Sequence, residues 1–205
     1  MTRWCTLWSH TRGEYMVPTR AEQMARIRGK DTSPERRLRS ALWRVGMRFR
    51  VQMRTPYGRP DVVFPKARVA LFIDGCFWHG CPEHYVRPRT RNDFWSAKLS
   101  GNVMRDRKQT LLLEAAGWRI CRFWEHEIFE SLSLVVDTVR AALHRSEWIP
   151  PTSWRVVQVD VLPGAGDIEQ RWMEDLRNPL IRKTAVAKRT TRKWKRARQQ
   201  LPERS

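Results

Sequence analysis

Residues 58–84 constrain this chain more than any other stretch, because they join two short apolar runs to a dense set of metal-binding side chains. Val62–Phe64 and the run over 69–73 flank Pro65, Lys66, Ala67 and Arg68, a pattern that predicts an antiparallel hairpin. A turn symmetric about Lys66 and Ala67 makes cross-strand partners sum to about 133 or 134, which sets Asp61 opposite Ile73 and beside Asp74. Either aspartate alone reads as a turn residue. Two carboxylates meeting at the open end of a buried hairpin instead suit a divalent cation. Cys76, Cys81 and His84 follow at once and offer three zinc ligands, with Phe77, Trp78 and His79 between the first two. Tetrahedral zinc wants a fourth ligand, and Cys121 and His126 are the downstream candidates.

The charge of the chain narrows its partners. Its 205 residues carry 40 Lys plus Arg against 21 Asp plus Glu, a formal charge of +19, which favours a polyanion, nucleic acid first. Basicity alone does not imply catalysis. The length allows one domain with a proper core and an appendage. Four scattered cysteines do not form a secreted disulfide framework, and there is no apolar run of about 18 residues to span a membrane. The N-terminus is basic but lacks the apolar core of a signal peptide, so a reducing cytoplasm is the expected location.

Taken in order, residues 1–17 are expected to be an extension. Pro18, Thr19 and Glu22 predict a short helix to Arg28. Thr32 to Glu35 opens a second helix with Leu38, Ala41, Leu42 and Val45 on one face and Gly46 as its stop. Met47, Phe49 and Val51 alternate with arginines as a half-buried strand. A helix over 93–116, interrupted near Gly101, is expected to bury Leu111, Leu112 and Ala115. A strand over 118–124 follows, in which Cys121 shares the parity of Phe123 and packs as a small hydrophobe. A helix over 131–144 offers Leu134, Val135, Thr138 and Ala142 for packing. Pro150 and Pro151 mark a boundary, giving an extension over 1–17, a main domain over 18–148 and a C-terminal extension over 149–205. Within the last, 154–162 reads as a strand and 167–177 as a helix. Nine Lys or Arg and no acidic residue between Ile181 and Arg198 read as a basic tail, disordered when free.

The segment from Glu22 to about Ile128 resembles the very short patch repair (Vsr) DNA mismatch endonucleases. The resemblance rests on several separate motifs in order: Gly58-Arg-Pro-Asp61, Asp74-Gly-Cys-Phe-Trp-His-Gly-Cys-Pro-Glu-His84, Phe94-Trp95, Asn102-Val103, Arg105-Asp-Arg107, Gly117-Trp-Arg119 and Trp124-Glu-His126. It implies an α/β fold with a restriction-endonuclease-like core, a mixed β-sheet flanked by helices, and a structural zinc. It further implies magnesium-dependent nicking 5′ to the thymine of T:G mismatches left by deamination of 5-methylcytosine. The partners implied are double-stranded mismatched DNA and a repair clamp or methylase, for a monomer in the cytoplasm, associated with the nucleoid of a prokaryote.

Residue by residue, the resemblance makes Asp61 and the main-chain carbonyl of Ile73 magnesium ligands, with Glu35 reaching the metal through water and His79 as the catalytic histidine. Asp74 departs from the best-known member, which carries histidine there, so Asp74 is a third magnesium ligand, a partner orienting His79, or both. The lysine of the common nuclease signature is also absent, Cys76 standing in its place. Zinc falls to Cys76, Cys81, His84 and His126; the usual third ligand is one residue earlier, at Glu83. Phe77, Trp78 and Trp95 match the positions that intercalate at the mismatch. Lys98, Asn102 and Arg105, with Arg107, are candidate DNA contacts, as are Arg20, Arg26, Arg28 and Lys30 near the N-terminus. Two other functions share these features: a restriction or phage-defence nuclease with a different target, and a non-catalytic zinc-stabilised DNA-binding module.

Overall fold

The computed structural model describes residues 29–88, 90–144, 148–162 and 168–188. The chain divides into two compact units, Met1–Thr32 and Ser33–Ser205. The expected N-terminal extension, the helix over 18–28 and the basic residues from 189 onward lie outside the described residues.

In the second unit the elements run α1 (Ser33–Arg44), β1 (Arg50–Val51), β2 (Val62–Phe64), β3 (Val69–Asp74), α2 (Asn92–Ala115), β4 (Arg119–Trp124), α3 (Glu125–Glu130), α4 (Leu132–His144), β5 (Trp154–Val161), β6 (Ile168–Asp175) and β7 (Arg182–Lys188). Strands β1 to β4 form one mixed sheet in sequence order. The hairpin β2–β3 is antiparallel and β4 lies parallel to β3, joined to it by the crossover helix α2. Helices flank this sheet, and the fold is mixed α/β. No described helix is long and apolar enough to cross a membrane.

The parity of β3 assigns its two faces. Val69 and Leu71, with Cys121 and Phe123 from β4, pack on Leu38, Leu42, Ile128, Val135 and Val139 from α1, α3 and α4. Ala70 and Phe72, with Ile120, pack on Leu113 of α2. Asp74 and Arg122 share the parity of this second face and so turn toward α2. Both faces of β3 are covered, which explains its nearly unbroken apolar run.

Several expectations are corrected here. The hairpin pairs Val62 with Leu71 and Phe64 with Val69, sums of 133, so Asp61 extends toward Phe72 rather than standing opposite Ile73. The strand expected from Met47 shrinks to two exposed residues, although Met47 and Phe49 still pack on the core. Helix α2 is continuous through Gly101, and it buries Leu99, Asn102, Val103, Asp106, Thr110 and Leu113 while leaving Leu111 exposed. Its buried face carries polar residues, so apolar periodicity pointed to the wrong stripe. In α4, Val135, Val136, Val139 and Ala142 are buried and Leu134 is exposed.

The largest correction is beyond Pro151. Residues 168–175 form strand β6, not a helix, and 182–188 of the expected tail form β7 beside it. β5, β6 and β7 make an antiparallel three-stranded sheet. Val156, Val159, Met173 and Leu176 from this part of the chain pack with Leu99, Val103 and Tyr85 in a separate cluster at the N-terminal half of α2.

Candidate active site and metal centre

Four elements converge at the C-terminal end of β3. Asp74 ends that strand, Arg122 comes from β4, Asp106 and Thr110 from α2, and Arg155 from β5. Arg122 grips Asp74 with two bonds, Nε to Oδ2 at 2.8 Å and Nη2 to Oδ1 at 2.7 Å, and reaches Asp106 Oδ1 at 3.2 Å. Thr110 Oγ1 accepts from Arg122 Nη1 at 3.3 Å. A second guanidinium, Arg155, donates from Nη2 to Asp74 Oδ2 at 2.5 Å. Burial by itself would raise the Asp74 carboxyl, but Arg122, Arg155 and His79 outweigh it and hold the group well below the usual carboxylate range. Asp74 is thus a buried anion whose two oxygens already accept three N–H groups. That arrangement makes Asp74 the counter-ion of two guanidinium groups.

His79 sits in the turn after β3, its Nδ1 2.5 Å from Asp106 Oδ2 and 3.7 Å from Asp74 Oδ1. The carboxylate oxygens of Asp74 and Asp106 and a nitrogen of His79 all lie within 4.8 Å of one another. A carboxylate on Nδ1 fixes the ring and its tautomer, leaving Nε2 for a substrate or water. Asp106, Arg122 and Arg155 are absent from the sequence-derived site. Asp106 and Arg122 could have been found from parity and the helical repeat; nothing local marks Arg155.

Asp61 stands at the mouth of the hairpin, its Oδ2 accepting the Ile73 amide at 2.8 Å. Burial pushes its carboxyl up to about 7 against the pull of that amide, with Glu35 and Asp74 adding to the rise and Arg122 opposing it. Glu35 is buried at the start of α1, close enough to repel Asp61. Asp61 and Glu35 are thus neighbouring acidic side chains at the open end of the hairpin. Ile73, whose carbonyl is the other implied magnesium ligand, is the residue that Asp61 holds by its amide.

The raised carboxyl has a consequence for stability. Between its ordinary pKa and about 7 the folded chain keeps a proton that the unfolded chain has lost, so stability falls as pH rises through that window. Asp61→Asn removes the penalty. In magnesium-free buffer near pH 8 it should therefore be more stable than the parent by at most about 4 kcal/mol, less where water reaches the half-buried carboxylate, and equal to it near pH 4. Thermal melts at the two pH values measure this; an equal gain at both would show that charge is not the cause.

Cys76, Cys81, His84 and His126 present ligand atoms within 4.8 Å of one another. Cys76 Sγ is 3.2 Å from His126 Nδ1, and Cys81 Sγ is 3.7 Å from His126 Nδ1 and 3.8 Å from His84 Nδ1. Bond lengths of about 2.3 and 2.0 Å in a tetrahedron give S···N edges of about 3.5 Å, so the four atoms surround a volume that fits zinc. The neighbouring Cys76 thiol holds Cys81 below the ordinary thiol range, and the same contact with burial pushes Cys76 up. Neither cysteine is in a disulfide. Cys121 is buried in the hydrophobic core, on the other face of β4 from Arg122.

Phe77, Trp78 and Trp95 form a half-buried aromatic cluster, with Phe77 centred 5.1 Å from Trp78 and 5.3 Å from Trp95. Asn102 is buried and donates its amide to the Trp78 carbonyl at 2.8 Å. It therefore ties α2 to the aromatic loop. Arg107 is likewise engaged, bonding Leu176 O and Glu174 in the C-terminal sheet. Lys98 and Arg105 are exposed on α2, and Lys30 is exposed in the first unit. Arg20, Arg26 and Arg28 lie outside the described residues.

Comparison with known proteins matches residues 14–84 to the family model described as DNA mismatch endonuclease Vsr. The type II nicking enzyme V.NaeI of Lentzea aerocolonigenes is 43% identical over 145 residues, 66% of this chain and 87% of that protein. The type II nicking enzyme V.XorIIP of Xanthomonas oryzae is 42% identical over 109 residues, 51% of this chain and 78% of that protein. The DNA mismatch endonuclease Vsr of Escherichia coli is 38% identical over 132 residues, 64% of this chain and 83% of that protein. With the aspartate, the histidine and the cysteine–histidine cluster assembled around the end of β3, these likenesses identify the chain as a DNA endonuclease that belongs to the Vsr family.

Proposed function

We propose that this endonuclease nicks one strand of duplex DNA 5′ to the thymine of a T:G mismatch, using magnesium at Asp61 and a structural zinc, and so starts repair of deaminated 5-methylcytosine. The observation that carries the reading is a single turn, residues 75–79, that supplies both His79 and the rings of Phe77 and Trp78, so the hydrolytic group and an aromatic wedge are positioned together. Aromatic wedges open weakly stacked steps at least cost, and a mismatch is one. The mixed sheet with Asp61 at its hairpin mouth supports a restriction-endonuclease-like core.

In this reading Asp61 and the Ile73 carbonyl hold magnesium, and Glu35 acts through water. The cation, when bound, neutralises charge that develops on the phosphate. His79, held by Asp106 at Nδ1, uses Nε2 to take a proton from the attacking water or to give one to the leaving oxygen, as the new P–O bond forms and the old ester bond breaks. Asp74 acts as the buried counter-ion that fixes Arg122 and borders His79. Cys76, Cys81, His84 and His126 hold zinc, which ties the loop after β3 to the start of α3. Lys98 and Arg105 meet the DNA backbone. The enzyme works as a monomer in the cytoplasm, on nucleoid DNA, alongside a repair clamp or methylase.

A second reading is favoured by the names of the relatives. The match to V.NaeI and V.XorIIP, both type II nicking enzymes, supports a nuclease associated with a restriction system, with its own sequence context. A panel of labelled duplexes bearing every mismatch, in several contexts and with matched controls, tests both. The expected result is magnesium-dependent cleavage of the thymine strand alone, at T:G and in a restricted context. Equal nicking of matched duplex would sink the mismatch reading, and cleavage independent of mismatch but tied to one sequence would favour the second.

A further inference from the structure

We propose that Arg155, delivered by the C-terminal sheet, is a positioning residue for nicking: it draws the Asp74 carboxylate away from His79, so that the imidazole keeps Asp106 as its sole carboxylate partner. This rests on the role of His79 proposed above.

His79 Nδ1 lies between two buried carboxylates and can donate to only one of them. Asp106 Oδ2 is at 2.5 Å and Asp74 Oδ1 at 3.7 Å. What decides the choice is how each carboxylate is otherwise engaged. Asp74 accepts two bonds from Arg122 and one from Arg155, while Asp106 shares only the 3.2 Å approach of Arg122. Without Arg155, a fully buried Asp74 is left with a single guanidinium that Asp106 also claims. The imidazole is then the donor closest at hand. A small rotation of Asp74 brings it onto Nδ1 and turns the ring, which re-aims Nε2. Misplacement by about 1 Å is enough to cost about a hundredfold in rate.

The delivery of Arg155 is rigid. Its guanidinium lies over the Trp124 ring, 4.0 Å from the centroid. The next residue, Val156, donates its amide to Gly80 O at 2.8 Å, which pins β5 to the turn that carries His79. Gly80 permits this approach: its φ is +70°, and a Cβ there would meet Val156 O at 2.6 Å. Arg171 of β6 adds a bond to Pro82 O at 2.7 Å. The sheet and the His79 loop thus hold a common geometry, and Arg155 and Asp74, 81 residues apart in sequence, meet because of it.

The test is single-turnover nicking by the full-length, zinc-loaded protein at saturating enzyme, for the parent, Arg155→Ala, Arg155→Lys, Asp74→Asn and the double variant D74N/R155A, with duplex affinity and zinc content measured alongside. Arg155→Ala should nick about 10- to 100-fold more slowly with affinity within about twofold of the parent and zinc retained. Arg155→Lys should recover part of the loss. In the Asp74→Asn background, Arg155→Ala should cost less than about twofold, because the carboxylate it controls has lost its charge. The double variant also leaves no unpaired buried carboxylate, so it answers the question even if Arg155→Ala folds poorly. Parental rates in Arg155→Ala, a loss confined to affinity, or an equally large cost in the Asp74→Asn background would each overturn the role of Arg155. Failure of the parent itself to nick any duplex would instead remove the reading on which this inference rests.

Discussion

Asp61→Ala should abolish nicking, by about a thousandfold or more, while duplex affinity and zinc content stay close to those of the parent. A divalent ion at a transferring phosphate is worth several kcal/mol of transition-state stabilisation, and each 1.36 kcal/mol is a factor of ten in rate. Asp61 is the carboxylate at the hairpin mouth that no guanidinium among the described residues grips directly, in contrast with Asp74, and its carboxyl is raised to about 7 by burial. It is therefore poised to lose its proton to a cation. Among the described residues its side chain bonds only the Ile73 amide, so truncation leaves the zinc cluster and the aromatic loop untouched. Single-turnover assays across a magnesium titration, with binding and metal analysis on the same samples, measure the effect. Magnesium-dependent nicking by the alanine variant would remove Asp61 from the metal site.

The second large effect concerns zinc. One ion per chain should be retained through purification, lost in His126→Ala and kept in Cys121→Ala. His126 Nδ1 faces both thiols of the cluster, at 3.2 and 3.7 Å, whereas burial pushes the Cys121 thiol up to about 12 and places it in the apolar core. A structural metal contributes its binding energy to folding. Its loss should cost several kcal/mol, lowering the melting temperature of a chain of this size by about 10 °C or more. Cys121→Ala removes only one buried sulfur and should cost about 1 kcal/mol. Metal analysis with thermal melts separates the two. Zinc retained by His126→Ala and lost by Cys121→Ala would transfer the fourth ligand to the strand.

The same contrast shows what the sequence by itself determined. The hairpin follows from two apolar runs and a turn, with an error of one step in register. The parity of β4 placed Cys121 in the core without any knowledge of the fold, and local spacing nominated three of the four cluster ligands. These are properties of one strand or one turn, and local sequence specifies them.

Elements whose inward face is polar were not legible. Helix α2 turns Asn102, Asp106 and Thr110 to the interior, so its apolar period misled; those residues are stable there only because Trp78 O, His79 and Arg122 satisfy them. Strand β6 buries Glu169, Arg171, Met173 and Asp175 on alternate positions, and three charges in that row hid the strand behind a helical reading. Arg171 is held there by Pro82 O, and Asp175 by the amides of Ser153, Arg177 and Asn178. Arg155 carries no local sign of its place at all. A buried charge is tolerated only beside its partner, and these partners lie far away in sequence, so only the tertiary structure could decide that the last strands of the chain take part in the site.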